Sequence, residues 1–237
     1  MLNNQTDRYI KTNIVNLLFI GAFCPQKLFS KIGSSANNLY RVSEFLIKGF
    51  KENGNINLSI ITSPDIVSYP QGPIYIKSQY DKQEQIQIVS SLNISLVKQL
   101  WTILSMFHNA NKLIQKKEGN TKIIIPYMVF RHVVVTRLLK IRFGNRVNIC
   151  TIVPDIFFPA RKRSLLYWAN KWTEKMAQKS DFFVLYTEAM AEYLKIQSKS
   201  YIVMEGIIDS EIRTIPKYEN TDKKKIITYT GTLNLEY

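Results

Sequence analysis

The sequence predicts an α/β fold: a Rossmann-like parallel sheet with helices on both faces. Short runs rich in Val, Ile, Leu and Phe alternate along the chain with longer segments whose apolar residues recur at helical spacing. This alternation is typical of βαβ units. Several of the predicted strands are apolar almost without interruption, which is the pattern of strands buried on both faces of a parallel sheet.

The elements follow one another with recognisable boundaries. Asn53-Gly54 ends the first predicted helix, Gly144 ends the third, and Pro126 and Pro154 each follow a strand. Six strands and one shorter segment are predicted before residue 207, at 14–20, 58–62, 74–76 (the short one), 123–125, 147–153, 182–186 and 201–204. The predicted helices are 39–50, 96–114, 133–141, 163–179 and 188–195.

The same pattern divides the chain into domains. Residues 1–207 are predicted to form one N-terminal Rossmann-like domain, and residues 208–225 a polar connector. A fresh apolar strand at 226–229 then leads to Gly231. Because a strand and a glycine turn without a helix cannot bury both faces, we expect residues 226–237 to be the truncated start of a second domain.

Composition limits the function without choosing it. The chain has 237 residues, with 32 Lys and Arg against 18 Asp and Glu, a formal net charge of +14. Such a surface suits nucleic acid, anionic lipid head groups or phosphorylated substrates. The hydrophobic share of 46% excludes a disordered polycation. Two cysteines are too few for a disulfide framework and favour a reducing, cytoplasmic location.

The first candidate binding segment follows the first predicted strand. Gly33, Ser34, Ser35 and Asn37 precede a helix, where backbone N–H groups can face an anion or a hydroxyl-rich ligand. The alternative is an ordinary loop with a serine or asparagine at the helix N-cap. The segment contains neither the G-x-G-x-x-G dinucleotide fingerprint nor a P-loop.

The second candidate is Asp155, directly after a strong strand. A carboxylate at that position can orient a hydroxyl or act as a base, although a turn residue after proline is the alternative. His108 and His132 lack partners at metal-ligand spacing, so both are predicted to be structural and no metal site is expected.

Three segments, taken in order, resemble bacterial capsule and exopolysaccharide members of the family 4 glycosyltransferases, which have the GT-B fold. The segments are Val153-Pro154-Asp155, the stretch 181–190 (DFFVLYTEAM) and the stretch 203–209 (VMEGIID). Residues 224–233 (KKIITYTGTL) resemble the start of the donor-binding domain of that family. The resemblance implies that this chain is the N-terminal half of a GT-B fold, with the first strand of the C-terminal half.

The family resemblance implies an enzyme, a retaining hexosyltransferase-like protein that uses a nucleotide diphosphate sugar in cell-surface polysaccharide biosynthesis. Asp155 is then the catalytic carboxylate on the acceptor side, although proline stands where the family usually has a histidine. Gly33, Ser34, Ser35 and Asn37 would bind the acceptor, and Gly231 and Thr232 the donor diphosphate. No cofactor is implied beyond the donor substrate, and a chain without the rest of the donor domain is expected to be inactive alone.

Acceptors in this class are often lipid-linked sugars at the inner face of the membrane, so a peripheral membrane contact is expected. The segment from Arg161 to Trp172 combines basic and aromatic residues and can either lie on an anionic membrane surface or pack into the core. A noncatalytic basic module that binds nucleic acid or another polyanion is the alternative function. The sequence lacks the RNP and helix-turn-helix motifs that would support nucleic-acid binding.

Overall fold

A computed structural model describes residues 14–25, 37–94, 97–156 and 165–206. The strands are β1 Val15–Gly21, β2 Ile56–Thr62, β3 Tyr75–Ile76, β4 Gln79–Asp81, β5 Ile86–Ile88, β6 Ser91–Leu92, β7 Thr121–Ile125, β8 Val147–Val153, β9 Phe182–Leu185 and β10 Ser200–Val203. The helices are α1 Asn37–Glu52, α2 Lys98–Lys116, α3 Phe130–Phe143, α4 Leu165–Ala177 and α5 Ala189–Tyr193, with a 3-10 turn at Gly144–Arg146.

Eight of these strands form one sheet in the order β10-β9-β8-β7-β1-β2-β5-β4. Every neighbouring pair is parallel except β4 and β5, which are antiparallel. β3 and β6 form a separate antiparallel ladder. The predicted parallel, Rossmann-like α/β sheet with helices on both faces is therefore confirmed.

The central strand β1 shows why the sheet is covered on both sides. Its side chains alternate between the two faces, and all of them from Leu17 onward are buried. Leu18 and Ile20 pack into the core formed with α2 and α3. Leu17 and Phe19 pack on the other face, against Ile47 of α1.

The helices are divided unevenly between the faces. Helix α1 joins β1 to β2 and buries a stripe of Tyr40, Ser43 and Ile47, spaced three and four residues apart. Helices α2, α3 and α4 supply the core of the opposite face, and α5 packs on that face against Phe183 and Leu185. Right-handed crossovers explain the division, because the chain moves one way across the sheet from β1 to β2 and the other way from β7 to β10.

That reversal places a topological switch point between β1 and β7, which are hydrogen-bonded neighbours. The segments that follow these two strands lead to helices on opposite faces, which opens a crevice at their carboxyl ends. In open parallel sheets ligands bind in such a crevice.

The structure also contains three short strands that the sequence pattern does not predict, β4, β5 and β6. Each has two or three residues, which is shorter than the window in which apolar alternation can be recognised. The expected domain boundary at 207, the connector at 208–225 and the strand at 226–229 lie outside the described residues and stay predictions.

Candidate functional site

The loops that follow β1 and β2 are joined at the carboxyl edge of the sheet. The N–H of Ser63 donates to the carbonyl of Gly21 at 3.2 Å, and the N–H of Phe23 donates to Thr62 Oγ1 at 2.7 Å. The same Thr62 hydroxyl donates to the carbonyl of Phe23. Gly21 also lies against Pro126 after β7, since a Cβ at Gly21 would come within 3.0 Å of that ring. These contacts fix the floor of the crevice.

Asp155 stands at this edge, two residues beyond the end of β8, which neighbours β7 in the sheet. Its side chain is exposed, and its Oδ1 accepts the N–H of Ile156 at 2.7 Å. No hydrogen bond from a described residue reaches its second oxygen, Oδ2. A carboxylate in this state can accept a hydrogen bond from a ligand hydroxyl.

Two tyrosines at the ends of the neighbouring strands share the surroundings of Asp155. Tyr127 follows β7 and Tyr186 follows β9. Burial raises the pKa of the Tyr127 phenol to about 12, with smaller contributions from Tyr186 and Asp155. Burial also raises the pKa of Tyr186. Both phenols therefore keep their protons at neutral pH and can donate a hydrogen bond, although Tyr127 is only 8% exposed and Tyr186 is half-buried.

Arg131 and Asp65 form an ion pair at the same edge of the sheet. Arg131 is 7% exposed; its Nε donates to Ser63 Oγ at 2.9 Å and its Nη2 to Asp65 Oδ1. Lys98 Nζ donates to the carbonyl of Ile66 at 2.5 Å. Burial, opposed by Asp65 and assisted by Arg131, lowers the pKa of Lys98.

This network holds the loop after β2 rather than a ligand. The cavity next to Arg131, Ser63 and Lys98 has a volume of about 10 Å³, which is about the space that one water needs. The Arg131 guanidinium therefore acts as a structural link between α3 and the end of β2. Asp155, in contrast to Arg131, is exposed at this edge.

The two histidines and the two cysteines lie in different surroundings. Burial, followed by the charge of Arg131, holds the pKa of His132 well below its usual range, whereas His108 is exposed on α2. Burial raises the pKa of both Cys24 and Cys150 to about 11, so neither is a reactive thiolate at neutral pH. Within the described ranges no three His, Cys, Asp or Glu side chains are grouped as a metal site.

Several predicted site residues cannot be placed. Gly33, Ser34 and Ser35 lie outside the described residues, as do the donor-side residues Gly231 and Thr232. Asn37 is the first residue of α1. The carboxyl ends of β1 and β8 lie on the same edge of the sheet with β7 between them, so the segment after β1 leaves from the edge that carries Asp155.

The basic and aromatic segment exposes its two tryptophans. Arg161, Lys162 and Arg163 lie outside the described residues, but Trp168 and Trp172 of α4 are 65% and 48% exposed. The helix does pack on the core, through Ala177 and Met176 near its end, but the two tryptophans are not part of that packing. Across the described segments, no helix has the length and apolar character needed to cross a bilayer.

Sequence reasoning missed Asp65, Tyr127, Arg131 and Tyr186. A signal for Asp65 was present, since Ser63-Pro64-Asp65 ends β2 just as Val153-Pro154-Asp155 ends β8. Tyr127 and Tyr186 also follow strands directly. Arg131 carried no local signal, because its partner Asp65 is 66 residues away.

No family model and no curated protein matches the chain. One solved structure that resembles it is α,α-trehalose 6-phosphate synthase from Burkholderia multivorans, with a TM-score of 0.44 and 10% sequence identity. The match covers 77% of this chain and 42% of that enzyme, so the chain spans less than half of the enzyme's length. A likeness this distant assigns no residue roles, and the site rests on its own geometry.

Proposed function

We propose that this chain is the acceptor-binding part of a retaining, nucleotide-sugar-dependent glycosyltransferase of the family 4 type, acting in capsule or exopolysaccharide biosynthesis. The observation that supports this most is the position of Asp155. It is an exposed carboxylate at the carboxyl edge of the sheet, one strand from the switch point. The order of the sequence segments that resemble the family supports the same function.

The groups around Asp155 suit a sugar hydroxyl. The carboxylate accepts a hydrogen bond from the acceptor hydroxyl, and the protonated phenols of Tyr127 and Tyr186 can donate to its other hydroxyl oxygens. In the transfer step the acceptor oxygen bonds to the anomeric carbon of the donor sugar. The bond from that carbon to the nucleotide diphosphate breaks, and Asp155 orients or receives the hydroxyl proton.

The donor side of the proposal depends on Gly231 and Thr232. Glycine allows a backbone to approach a diphosphate closely because it has no Cβ. A nucleotide sugar is therefore proposed as a substrate of the complete site, and no resident metal or cofactor is proposed. The test is binding of UDP-glucose or GDP-mannose to the full chain. Gly231→Val should weaken this binding, whereas Gly54→Val, in the turn after α1, should leave it unchanged.

Acceptor binding tests the role of Asp155. The full chain is titrated with a short-chain polyprenyl diphosphate hexose in detergent, and binding is followed by calorimetry. We expect Asp155→Asn to weaken binding about tenfold, the effect of losing roughly 1.4 kcal/mol from a charge-assisted hydrogen bond.

The matched control is Glu118→Gln, which removes an exposed carboxylate in the loop before β7, at the opposite edge of the sheet. It should leave acceptor binding unchanged. Equal affinities for the wild type and the Asp155→Asn variant would contradict the proposed site.

A noncatalytic module that binds nucleic acid or another polyanion is the second candidate function. The observation that favours it is the formal net charge of +14. A DNA mobility shift that weakens steeply with rising salt, together with no binding of sugar acceptors, would favour this function over the first.

A further inference from the structure

Helices α2, α3 and α4 lie side by side on one face of the sheet, and we call their outward surface the helical face. Apolar side chains are exposed on all three helices, although each helix also buries apolar residues against the sheet. The exposed apolar residues of the helical face are Leu100, Trp101, Leu104, Phe130, Leu138, Ile141, Trp168 and Trp172.

Helix α3 shows the outward stripe most clearly. Phe130, Leu138 and Ile141 are exposed and stand eight and three residues apart, with the half-buried Val134 between the first two. At 3.6 residues per turn these positions fall on one side of the helix. Val133 and Leu139 fall on the other side and are buried in the core. Helix α3 therefore has two apolar stripes. One packs against the sheet, and the exposed one is not needed for that packing.

The three tryptophans of the chain all lie on this face. Trp101 is 41%, Trp168 65% and Trp172 48% exposed. The ring of Trp172 packs against that of Phe130 with centroids 5.4 Å apart, which joins the stripes of α4 and α3. The tryptophan ring is apolar apart from its N–H group, and tryptophan is therefore enriched at the interface between lipid and water.

The charge of the helical face is of one sign. Residues 97–117 and 126–146 contain no Asp or Glu, and α4 contains one, Glu174. Glu174 is buried and accepts a hydrogen bond from Lys171 at 2.7 Å, so it adds no free negative charge at the surface. Arg142 and Lys175 are exposed there.

The opposite face of the sheet differs in charge. Beside α1 a cavity of about 490 Å³ is lined by charges of both signs. Its acids come from α1 and from the hairpin of β4 and β5, and they are Glu44, Glu52, Asp81 and Glu84. Exposed acids thus surround α1, whereas α2, α3 and α4 expose none; on the same face as these three helices, α5 carries the exposed Glu192.

We propose that the helical face binds the surface of an anionic lipid bilayer, with its tryptophan, leucine and isoleucine side chains at head-group depth. Basic residues around it supply the attraction to anionic head groups. A second copy of this chain fits less well, because two acid-free basic faces repel each other. A nucleic acid gains nothing from exposed Leu104 and Ile141. The inference does not need sugar transfer, so it can fail or hold separately from the proposed function.

Intrinsic fluorescence tests the proposal directly, because every tryptophan lies on the helical face. The full chain is mixed with vesicles of phosphatidylcholine and phosphatidylglycerol, and separately with vesicles of phosphatidylcholine alone. We expect a blue shift and co-sedimentation with the anionic vesicles, and much less of both with the neutral ones. Absence of both signals with anionic vesicles would overturn the proposal.

A matched pair of isoleucines tests which face binds. Ile141 on the helical face is 75% exposed, and Ile202 on β10 is 62% exposed. Ile202 is registered with Val184, which alternates with Phe183 and Leu185, so it lies on the opposite face of the sheet. Ile141→Gln should weaken vesicle binding about fivefold or more, whereas Ile202→Gln should not. Equal effects of the two variants would overturn the assignment to the helical face.

The charge contribution is tested in the same way. Lys175→Gln should lower the affinity for anionic vesicles about fivefold, which corresponds to roughly 1 kcal/mol for one basic group near the surface. Lys82→Gln, in the exposed hairpin of β4 and β5, should have little effect. Two other results would contradict the proposal. A blue shift that grows with protein concentration in the absence of vesicles would identify a second copy of the chain as the partner. A blue shift on addition of duplex DNA would identify a nucleic acid as the partner.

Discussion

Lowering the pH should destabilise the folded chain through one side chain, His132 in the first turn of α3. The residue is 1% exposed, and neither ring nitrogen has a hydrogen-bond partner among the described residues. Burial, and to a lesser degree the guanidinium of Arg131, holds the pKa of His132 well below its usual range. The folded chain therefore keeps the imidazole neutral, whereas the unfolded chain protonates it at about pH 6.5.

The sign and size of the effect follow from proton linkage. Below about pH 6.5 the unfolded state binds a proton that the folded state does not, so the free energy of unfolding decreases as the pH falls. One pH unit corresponds to about 1.4 kcal/mol. Between about pH 6.5 and 5.0 the loss from His132 therefore reaches at most about 2 kcal/mol. This is a large part of the roughly 5–15 kcal/mol that stabilises a typical domain.

Urea unfolding followed by tryptophan fluorescence at about pH 7.5 and 5.0 measures the loss. His132→Leu should abolish most of this pH dependence, and comparing one variant with itself at two pH values cancels its change in packing. His108→Leu is the matched control, because His108 is the other histidine of the chain and is exposed. An equal pH dependence in the wild type and the His132→Leu variant would refute the reasoning.

Two further sets of substitutions test the packing around the candidate site by urea unfolding. Gly21→Ala places a Cβ 2.8 Å from Cε1 of the buried Phe19 and should cost about 1–3 kcal/mol; Gly49→Ala in α1, whose Cβ meets nothing within 4 Å, should stabilise by up to about 1 kcal/mol. Arg131→Met should cost about 2–4 kcal/mol by leaving Asp65 without its guanidinium. Adding Asp65→Asn should recover part of that loss, whereas additive losses would show that the two are not coupled.

The fold class was predictable from the sequence because the central strands bury both faces. In β1 and β8 the apolar residues follow one another almost continuously, and this pattern has few explanations other than a parallel sheet covered on both sides. The short strands β4 and β5 gave no such signal. Their pairing depends on the neighbouring strand β2, and tertiary contacts of that kind leave no local periodicity.

The candidate site was predictable only in part. Asp155 was identified because its position after a strand follows from the chain alone. The network of Arg131 and Asp65 was not, because it joins residues from different βα units that are close only in the folded chain. The exposure of Trp168 and Trp172 was equally hidden. Helical periodicity reveals an apolar stripe but does not show which of two stripes faces the sheet.

The proposed acceptor site and the proposed membrane-binding face are compatible in geometry, because helices that follow parallel strands all begin at the same edge of the sheet. A helix that succeeds a strand begins at the strand's carboxyl end, which is the edge that carries Asp155. Leu100 and Leu104 lie in the first half of α2, and Trp168 lies in the first turn of α4 with Trp172 one turn further along. These residues therefore lie toward the edge of the sheet that carries Asp155, whereas Leu138 and Ile141 lie toward the other end of α3. A bilayer bound there would hold the head group of a lipid-linked sugar near the carboxylate while its lipid stays in the membrane. Asp155→Asn should accordingly weaken acceptor binding without changing vesicle binding. Ile141→Gln should weaken vesicle binding and leave unchanged the binding of an acceptor dissolved in detergent.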